Sequence, residues 1–302
     1  VSAMKTTYRI KQPYCDLFLQ CARETPCQSP ARPERFLRKM AMNQGILGVL
    51  SGFGLDSQGL ERKNPVIVAL GDSVTAGHFE RLPSQGDPAQ VMEATTRRME
   101  LTERLGAQGV EEAFAKGELP ALPPVEIADA RESYLEKFRE LLLDQFELTS
   151  VSTINAGIAG DHLLSMIARA DRDVVRYQPD LVLINGVLNW GLNLGTTAQY
   201  KEYLRGLVRK LQQETEADIV LVTPNGDLPN PPPPQGEGTP DRVEAVRQVA
   251  WEEGVCLADT YAVWERAREL GCPWEELLCN GVNHPSAEGH LVYAITLMKL
   301  CQ

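Results

Sequence analysis

The sequence lacks the features that mark membrane-spanning and nucleic-acid-binding proteins. No apolar run approaches the roughly 18 residues that a membrane-spanning helix needs. Positive charge is also scarce, because 30 Lys and Arg stand against 41 Asp and Glu, for a formal net charge of −11. Nucleic acids and anionic membranes are bound through basic surfaces. We therefore expect neither a membrane span nor a nucleic-acid partner.

Paired cysteines and the common metal and nucleotide motifs are missing as well. The seven cysteines are odd in number and contain no CxxC pair, and Cys15, Cys21 and Cys27 are spaced more widely than zinc ligands usually are. There is no HExxH and no glycine-rich phosphate loop with its lysine. The start, VSAMKTTYRIKQ, has no signal-peptide apolar segment. These absences predict a cytoplasmic chain with reduced thiols, no metal and no cofactor.

Short apolar strands alternate with helical segments along most of the chain. Apolar residues make up 43% of the sequence, which is enough for a sizeable core. The strands are apolar on both faces, a pattern typical of a parallel sheet covered by helices on each side. We predict an α/β fold, a flavodoxin-like three-layer sandwich with a central parallel sheet of about five strands. The predicted strands are PVIVAL, SVSTI, DLVLIN, ADIVLVT and VCLAD.

Two segments lie outside this alternation. Residues 1–60 form a predicted helical extension packed on the core, and residues 61–302 form the main domain. Within the extension, RFLRKMAMNQGILGVL predicts an amphipathic helix whose apolar side carries Phe36, Leu37, Met40 and Leu47. Residues 81–127 are charged and end in a proline cluster, which indicates an inserted helical segment. We expect this insertion and the proline-rich loop 225–240 to influence specificity, since both arise at the predicted ligand edge of the sheet, and the alternative is that they only decorate the surface.

A serine stands just beyond the first predicted strand, in VIVALGDSVTAGHFE. Ligands of such sheets bind beyond the carboxyl ends of the strands, so Ser73 is either a nucleophile or a turn residue that caps the next helix. A serine nucleophile needs a base, most often histidine. His284 is the favoured candidate, because it lies in a polar loop before a helix, and His162 is the second. His78 is too near Ser73 in sequence, and His290 falls inside a helix.

The turn around Ser73 differs from the nucleophile elbow of α/β-hydrolases. In that G-x-S-x-G motif a glycine stands where this chain has Thr75, so the motif is not met. Asp72 shares the turn of Ser73. It is therefore better suited to the N-terminus of the helix than to the role of a catalytic acid.

Hydrogen-bond donors for a negatively charged intermediate follow two other predicted strands. Gly157 and Gly160 allow the backbone to turn an N–H into the site, and Asn189 offers a side-chain amide. Each residue alone is an ordinary turn residue. Together with Ser73 and a histidine they supply a nucleophile, donors and a base from separate strand ends of one sheet, which favours catalysis of acyl transfer.

These segments resemble the four sequence blocks of the SGNH hydrolases, also called the GDSL esterase/lipase family. GDSVTAG resembles the first block, whose serine is the nucleophile, and NAGIAGD resembles the second, whose last glycine gives an oxyanion N–H. The resemblance implies that Ser73 and His284 are catalytic and that Ser73, Gly160 and Asn189 form the oxyanion hole. It extends over about Val66–Leu300.

The third block departs from the family pattern, which is Gly-x-Asn-Asp. In the ungapped frame, Val187 takes the position of the glycine and Trp190 that of the aspartate, while Asn189 keeps the position of the donor. Shifting the frame by one residue to use Gly186 would place Leu188 at the donor position, and leucine has no side-chain donor. We therefore assign the donor to Asn189.

The fourth block lacks the family's aspartate three residues before the histidine, where this chain has Gly281. The acid of a triad fixes the tautomer of the histidine. We predict a Ser–His dyad in which Asn280 Oδ1 or a backbone carbonyl orients the His284 ring. Glu276 and Asp259 are possible acids, although Asp259 more simply caps the helix that begins TYAVWER.

The sequence thus predicts a serine esterase that hydrolyses short-acyl esters through an acyl-serine intermediate. O-acetyl groups on a carbohydrate are the candidate substrate, and a small-molecule or carbohydrate ester is the expected partner. One alternative is a thioesterase or lysophospholipase that uses the same residues. Another is a non-catalytic binding module, which the missing aspartate and the altered third block favour.

Overall fold

The computed structural model describes residues 14–50, 64–81, 126–147, 149–229 and 232–302, together with a few positions between 100 and 116. The strands are β1 (Val66–Gly71), β2 (His78–Arg81), β3 (Glu126–Ala128), β4 (Ser152–Gly157), β5 (Leu181–Asn185), β6 (Asp218–Val222) and β7 (Cys256–Ala258). The helices are α1 (Tyr14–Glu24), α2 (Glu34–Leu50), α3 (Ser73–Ala76), α4 (Tyr134–Gln145), α5 (Leu163–Asp173), α6 (Thr197–Glu214), α7 (Thr239–Glu253), α8 (Thr260–Glu269) and α9 (Ala287–Met298).

Five of the strands form one parallel sheet in the order β4-β1-β5-β6-β7. When these five are counted along the chain, the order is 2-1-3-4-5, which is the flavodoxin-like order. The predicted fold class is therefore confirmed. In the register of the sheet, Gly71 at the end of β1 lies beside Gly157 of β4 and Asn185 of β5. The residues that follow these three strands consequently emerge at one edge of the sheet.

Helices cover both faces of the sheet, and alternate residues of β1 point to opposite faces. Val68 and Leu70 pack with α5, α6 and α7, whereas Ile67 and Ala69 pack with α2, α4 and α9. The burial of strands on both faces explains why they read as short continuous apolar runs in the sequence.

A two-stranded antiparallel hairpin, β2–β3, was not predicted. It pairs His78 with Ala128 and Arg81 with Glu126, and the register shifts between His78 and Glu80. The two ends of the predicted insertion 81–127 are thus held side by side. Most of that insertion lies outside the described residues, and positions 103–106 within it are helical.

The helices of the N-terminal segment contact the main domain at two places. Phe18 of α1 is fully buried, with its ring edge-on to Trp264 of α8 at 5.0 Å between centroids. Phe36 and Met40 of α2 are buried under the sheet, as the amphipathic pattern predicts, and the side chain of Leu47 lies outside the described residues. In the described part of the chain, no helix is long and apolar enough to cross a membrane.

Candidate active site

The turn after β1 presents Ser73 as the first residue of the four-residue helix α3. Asp72 is the N-cap, and its Oδ1 accepts a hydrogen bond from the Val74 N–H at 2.9 Å. Gly77 ends the helix with a φ of 101°, a left-handed conformation that favours glycine. The cap is therefore Asp72, as predicted, which leaves the Ser73 hydroxyl available for a contact across the site.

That contact is with His284. Ser73 Oγ lies 2.7 Å from His284 Nε2, although 211 positions separate the two residues in the chain. Both side chains are buried at the sheet edge, with Ser73 5% and His284 8% exposed. A neutral imidazole protonated at Nδ1 accepts the serine proton at Nε2, which is the arrangement that activates a serine hydroxyl.

The loop that carries His284 is held by hydrogen bonds from two asparagines. Asn280 Oδ1 accepts the backbone N–H groups of Val282, Asn283 and His284, each at 3.0 Å. Asn225, which follows β6, donates from Nδ2 to the Asn283 carbonyl at 2.8 Å. The sequence predicted that Asn280 Oδ1 or a backbone carbonyl orients the imidazole ring. In the structure this oxygen accepts the main-chain N–H groups of the loop that carries the ring, and the group that orients the imidazole stays a prediction.

Gly281 stands where the family has its triad aspartate. Its φ is 69°, and it lies at the turn that lets the following N–H groups converge on Asn280 Oδ1. This backbone conformation disfavours most side chains. The second predicted acid, Asp259, caps α8 through the Ala262 N–H and is also bound by Arg247 and Thr223. Its capping role is confirmed. Glu276 lies in the 3₁₀ turn Trp274–Glu276, and its role as an acid stays a prediction.

The predicted oxyanion donors lie on the loops after β4 and β5. Gly160 has a φ of 75° in a turn closed by the Asp161 N–H and the Ile158 carbonyl at 3.1 Å. Asn189 Nδ2 donates to the Asp161 carbonyl at 2.9 Å, which brings the Asn189 amide against the turn that contains Gly160. An amide nitrogen carries two protons, so one remains for a ligand.

The substituted positions of the third block have structural roles. Trp190, in the aspartate position, is 4% exposed and donates from Nε1 to the Gly195 carbonyl at 2.9 Å. Its ring packs edge-on against Tyr200 of α6. Val187, in the glycine position, is buried in the same cluster. These two residues therefore anchor the loop to the core, and Asn189 stands between them.

Strand β4 approaches the nucleophile turn closely because Gly157 has no side chain. A Cβ at Gly157 would lie 2.2 Å from the Ala76 nitrogen. Asn155 strengthens the same junction, since its Nδ2 donates to the Thr75 carbonyl at 2.8 Å and its Oδ1 accepts the Gly157 N–H at 2.9 Å. The second block therefore packs directly against the turn that carries Ser73.

Burial dominates the electrostatics of Asp72. Its side chain is completely buried, which raises the pKa of the carboxyl to about 6. The hydrogen bond from Val74 and a positive charge on His284 act in the opposite direction, and the carboxylate of Asp161 raises the pKa further. The carboxyl next to Ser73 thus has a raised pKa because it is shielded from solvent.

The remaining histidines have other placements. His162 is the N-cap of α5, with Nδ1 accepting the Ser165 N–H at 3.3 Å. His290 is fully buried in α9, where its Nδ1 accepts the Tyr134 N–H at 3.1 Å. The side chain of His78 lies outside the described residues. Of the histidines predicted as bases, the structure brings His284 to Ser73.

Two polar residues at this edge were not singled out from the sequence. Asn225 supports the His284 loop from β6, and Arg169 forms a buried ion pair with Asp161 at 2.6 Å. A lone arginine on a helix or an asparagine after a strand carries no distinctive sequence signal. No group of three or more metal-ligating side chains occurs within the described ranges.

Known structures with the same architecture include several ester hydrolases. Axe2, an acetylxylan esterase from Geobacillus stearothermophilus, is 21% identical with a TM-score of 0.53, and the match covers 78% of this chain and 94% of Axe2. The lipase/acylhydrolase from Enterococcus faecalis is 19% identical with a TM-score of 0.52, over 78% and 95% of the two chains. At these identities the likeness establishes the fold. Curated protein sequences yield no match.

The sequence profile of a family spans most of the domain that carries this site. The GDSL-like Lipase/Acylhydrolase family matches residues 69–292, from within β1 to within α9. The match includes all of the residues assigned above to the strand-end site, and it confirms the resemblance drawn from the four blocks. The chain therefore belongs to the GDSL-like lipase/acylhydrolase family, and it is a carboxylic ester hydrolase.

Proposed function

We propose that this enzyme hydrolyses short-acyl esters through an acyl-serine intermediate formed on Ser73. The observation that carries the proposal is the 2.7 Å contact between Ser73 Oγ and His284 Nε2 at the sheet edge. His284 removes the hydroxyl proton as Ser73 attacks the ester carbonyl. The Gly160 N–H, the Ser73 N–H and the Asn189 amide stabilise the oxyanion.

The second half of the reaction uses the same groups. His284 gives its proton to the leaving alcohol, and the acyl group stays on Ser73. A water molecule then attacks the acyl-serine while His284 accepts its proton, and the acid is released. The Asn280 side chain holds the His284 main chain in place through both half-reactions.

O-acetyl groups on a carbohydrate are the proposed substrate. The support is the architecture shared with the acetylxylan esterase Axe2. Exposed Ile158 and Leu192 lie in the two loops that carry the oxyanion donors, where they offer a small apolar contact for an acyl group. A thioesterase or lysophospholipase would use the same nucleophile, so substrate comparison decides between them.

The first experiment combines turnover with covalent labelling. We expect wild-type protein to hydrolyse p-nitrophenyl acetate faster than the octanoate ester, and to react with a fluorophosphonate probe. Ser73→Ala should abolish both signals, and Ser152→Ala, which alters an exposed serine at the opposite end of β4, should retain both. Labelling that persists in Ser73→Ala would refute the nucleophile, whereas a wild-type protein that binds acetylated xylo-oligosaccharide without turnover would indicate a binding module.

The base is tested with a histidine pair. His284→Ala should reduce kcat by at least about 10³, because the serine loses its proton acceptor. His162→Ala removes a helix cap and should lower the melting temperature with little effect on kcat. The reverse result would make His162 the base.

A further inference from the structure

Arg169 of α5 is a buried arginine that contacts the strand ends beside the candidate active site. Its side chain is 7% exposed, yet it lies among the carboxyl ends of two strands rather than at the surface. The planar guanidinium carries five N–H donors in a fixed fork. Such a group can join several acceptors of different elements at once, provided that each acceptor lies in its plane.

One acceptor of Arg169 lies in its own helix, Asp173 Oδ2 at 2.8 Å from Nη1, and the others belong to the two segments that carry Ser73 and Gly160. Nη2 donates to the Gly71 carbonyl at 3.0 Å, two residues before Ser73. Nη1 donates to the Ala156 carbonyl at 2.8 Å, at the end of β4. Arg169 therefore links the main chain of β1 to that of β4 at the sheet edge.

The same guanidinium holds the oxyanion loop through Asp161. Nε donates to Asp161 Oδ2 at 2.7 Å, and Nη2 lies 2.6 Å from the same oxygen. Asp161 directly follows Gly160, and its backbone carbonyl accepts the hydrogen bond from Asn189 Nδ2. Gly160 is therefore covalently bonded to Asp161, and Asn189 is hydrogen-bonded to it. These two residues are the proposed oxyanion donors outside the turn that carries Ser73.

We propose that Arg169 is a positioning residue for the oxyanion hole, acting through Asp161 on Gly160 and Asn189. This inference rests on the proposed function, because that proposal makes Gly160 and Asn189 the oxyanion donors for the attack by Ser73. The guanidinium touches neither the nucleophile nor the base. Its effect is to fix the distance between the turn that carries Ser73 and the two donors. The donors matter only when negative charge develops on the carbonyl oxygen of the ester.

Lysine is the informative replacement for Arg169. It keeps a positive charge for Asp161, but a single ammonium group cannot reach the Gly71 and Ala156 carbonyls together with the carboxylate. We expect Arg169→Lys to lower kcat for p-nitrophenyl acetate by roughly 10–100-fold with KM within about twofold, because one misplaced oxyanion donor costs up to about 10²–10³. Asp161→Asn, which keeps the backbone carbonyl and weakens the charge, should shift kcat in the same direction by less.

Arg176→Lys is the matched control. Arg176 follows α5, is exposed and donates to the Tyr177 hydroxyl, so it shares no acceptor with Arg169. It should leave kcat and KM unchanged. Circular dichroism and melting temperature establish folding of each variant, and Asp161→Asn takes the place of Arg169→Lys if the lysine variant does not fold.

A double-mutant cycle separates positioning from a general structural effect. If Arg169 acts through the donors, Arg169→Lys should cost clearly less in an Asn189→Ala background than in the wild-type background. Equal loss in the two backgrounds, or a folded Arg169→Lys with kcat within twofold of wild type, overturns the positioning role. Turnover that survives Ser73→Ala, or wild-type protein without turnover, overturns the proposed function instead, and the positioning role with it.

Discussion

Asn189 makes one structural contact and has one proposed catalytic contact. One of its amide protons goes to the Asp161 carbonyl, which fixes the direction of the group. Trp190 and Val187 on either side are buried, so the backbone that carries the amide is held by the core. We infer that the second proton points to the site where the ester oxygen gains charge.

The first prediction concerns this amide. Asn189→Ala should lower kcat by roughly 10²–10³ with little change in KM, because the lost contact forms only in the transition state. Steady-state kinetics on p-nitrophenyl acetate measure both constants. Asn193→Ala, an exposed asparagine of the same loop, serves as the control and should behave as wild type. If Asn189→Ala keeps a nearly normal kcat, Asn189 is not the oxyanion donor, and the ungapped alignment of the third block is wrong.

At the scale of elements, two tight junctions place the catalytic groups. The His284 loop depends on the oxygen of Asn280, which satisfies three consecutive N–H groups. The nucleophile turn depends on the close approach of β4, which Gly157 permits.

Removal of the Asn280 oxygen should loosen the His284 loop. We expect Asn280→Ala to lower the free energy of unfolding by about 1–3 kcal/mol, since buried N–H groups lose their acceptor, and to reduce kcat at the same time. Asn280→Asp retains an acceptor and should cost less on both measures. Asn283→Ala removes one side-chain contact with Asn280 and is the control. Urea denaturation and kcat provide the readouts, and full activity in Asn280→Ala would contradict the positioning of His284 by this side chain.

A pair of glycine substitutions tests the packing of β4 on α3. Gly157→Ala places a methyl group against the Ala76 nitrogen and should destabilise the protein by about 3 kcal/mol or more. Gly206→Ala, at an exposed position of α6 with open space around it, should stabilise by about 0.5–1 kcal/mol through helix propensity. Chemical denaturation distinguishes the two, and a tolerated Gly157→Ala would mean that β4 does not hold the turn.

For the molecule as a whole, the buried carboxyl of Asp72 couples the stability of the fold to pH. The pKa of Asp72 is raised to about 6, so between about pH 4 and pH 6 the folded protein binds more protons than the unfolded chain. Its stability therefore falls as the pH rises through this range. Since one pKa unit corresponds to about 1.4 kcal/mol, the ionised Asp72 costs the folded state up to about 3 kcal/mol above pH 6.

Asp72→Asn should accordingly be more stable than wild type at pH 8, because the amide oxygen still accepts from Val74 and carries no charge. The difference should shrink as the pH falls to 4. Urea denaturation at several pH values measures this difference. A difference between Asp72→Asn and wild type that does not vary with pH would contradict the assigned pKa.

Asp173 gives the contrasting case. Hydrogen bonds from Arg172 and Arg169 lower the pKa of its carboxyl to about 2. Asp173→Asn should therefore destabilise the protein at neutral pH.

The sequence by itself determined the α/β class, the parallel sheet, Ser73 as a strand-end serine and His284 as the favoured base. These features depend on local information: the period of apolar residues, the length of each run, and short motifs at strand ends. The predicted loop 225–240 overlaps the start of α7 by two residues, Thr239 and Pro240.

Only the tertiary structure decided which of these residues meet. The contact between Ser73 and His284 spans 211 positions, and it depends on the order of five strands and on the placement of α9. The fork of Arg169 depends on the register that brings Gly71 beside Gly157. The convergence of three backbone N–H groups on Asn280 Oδ1 depends on the turn at Gly281. Such contacts join atoms whose positions follow from long-range packing, and local sequence patterns do not specify that packing.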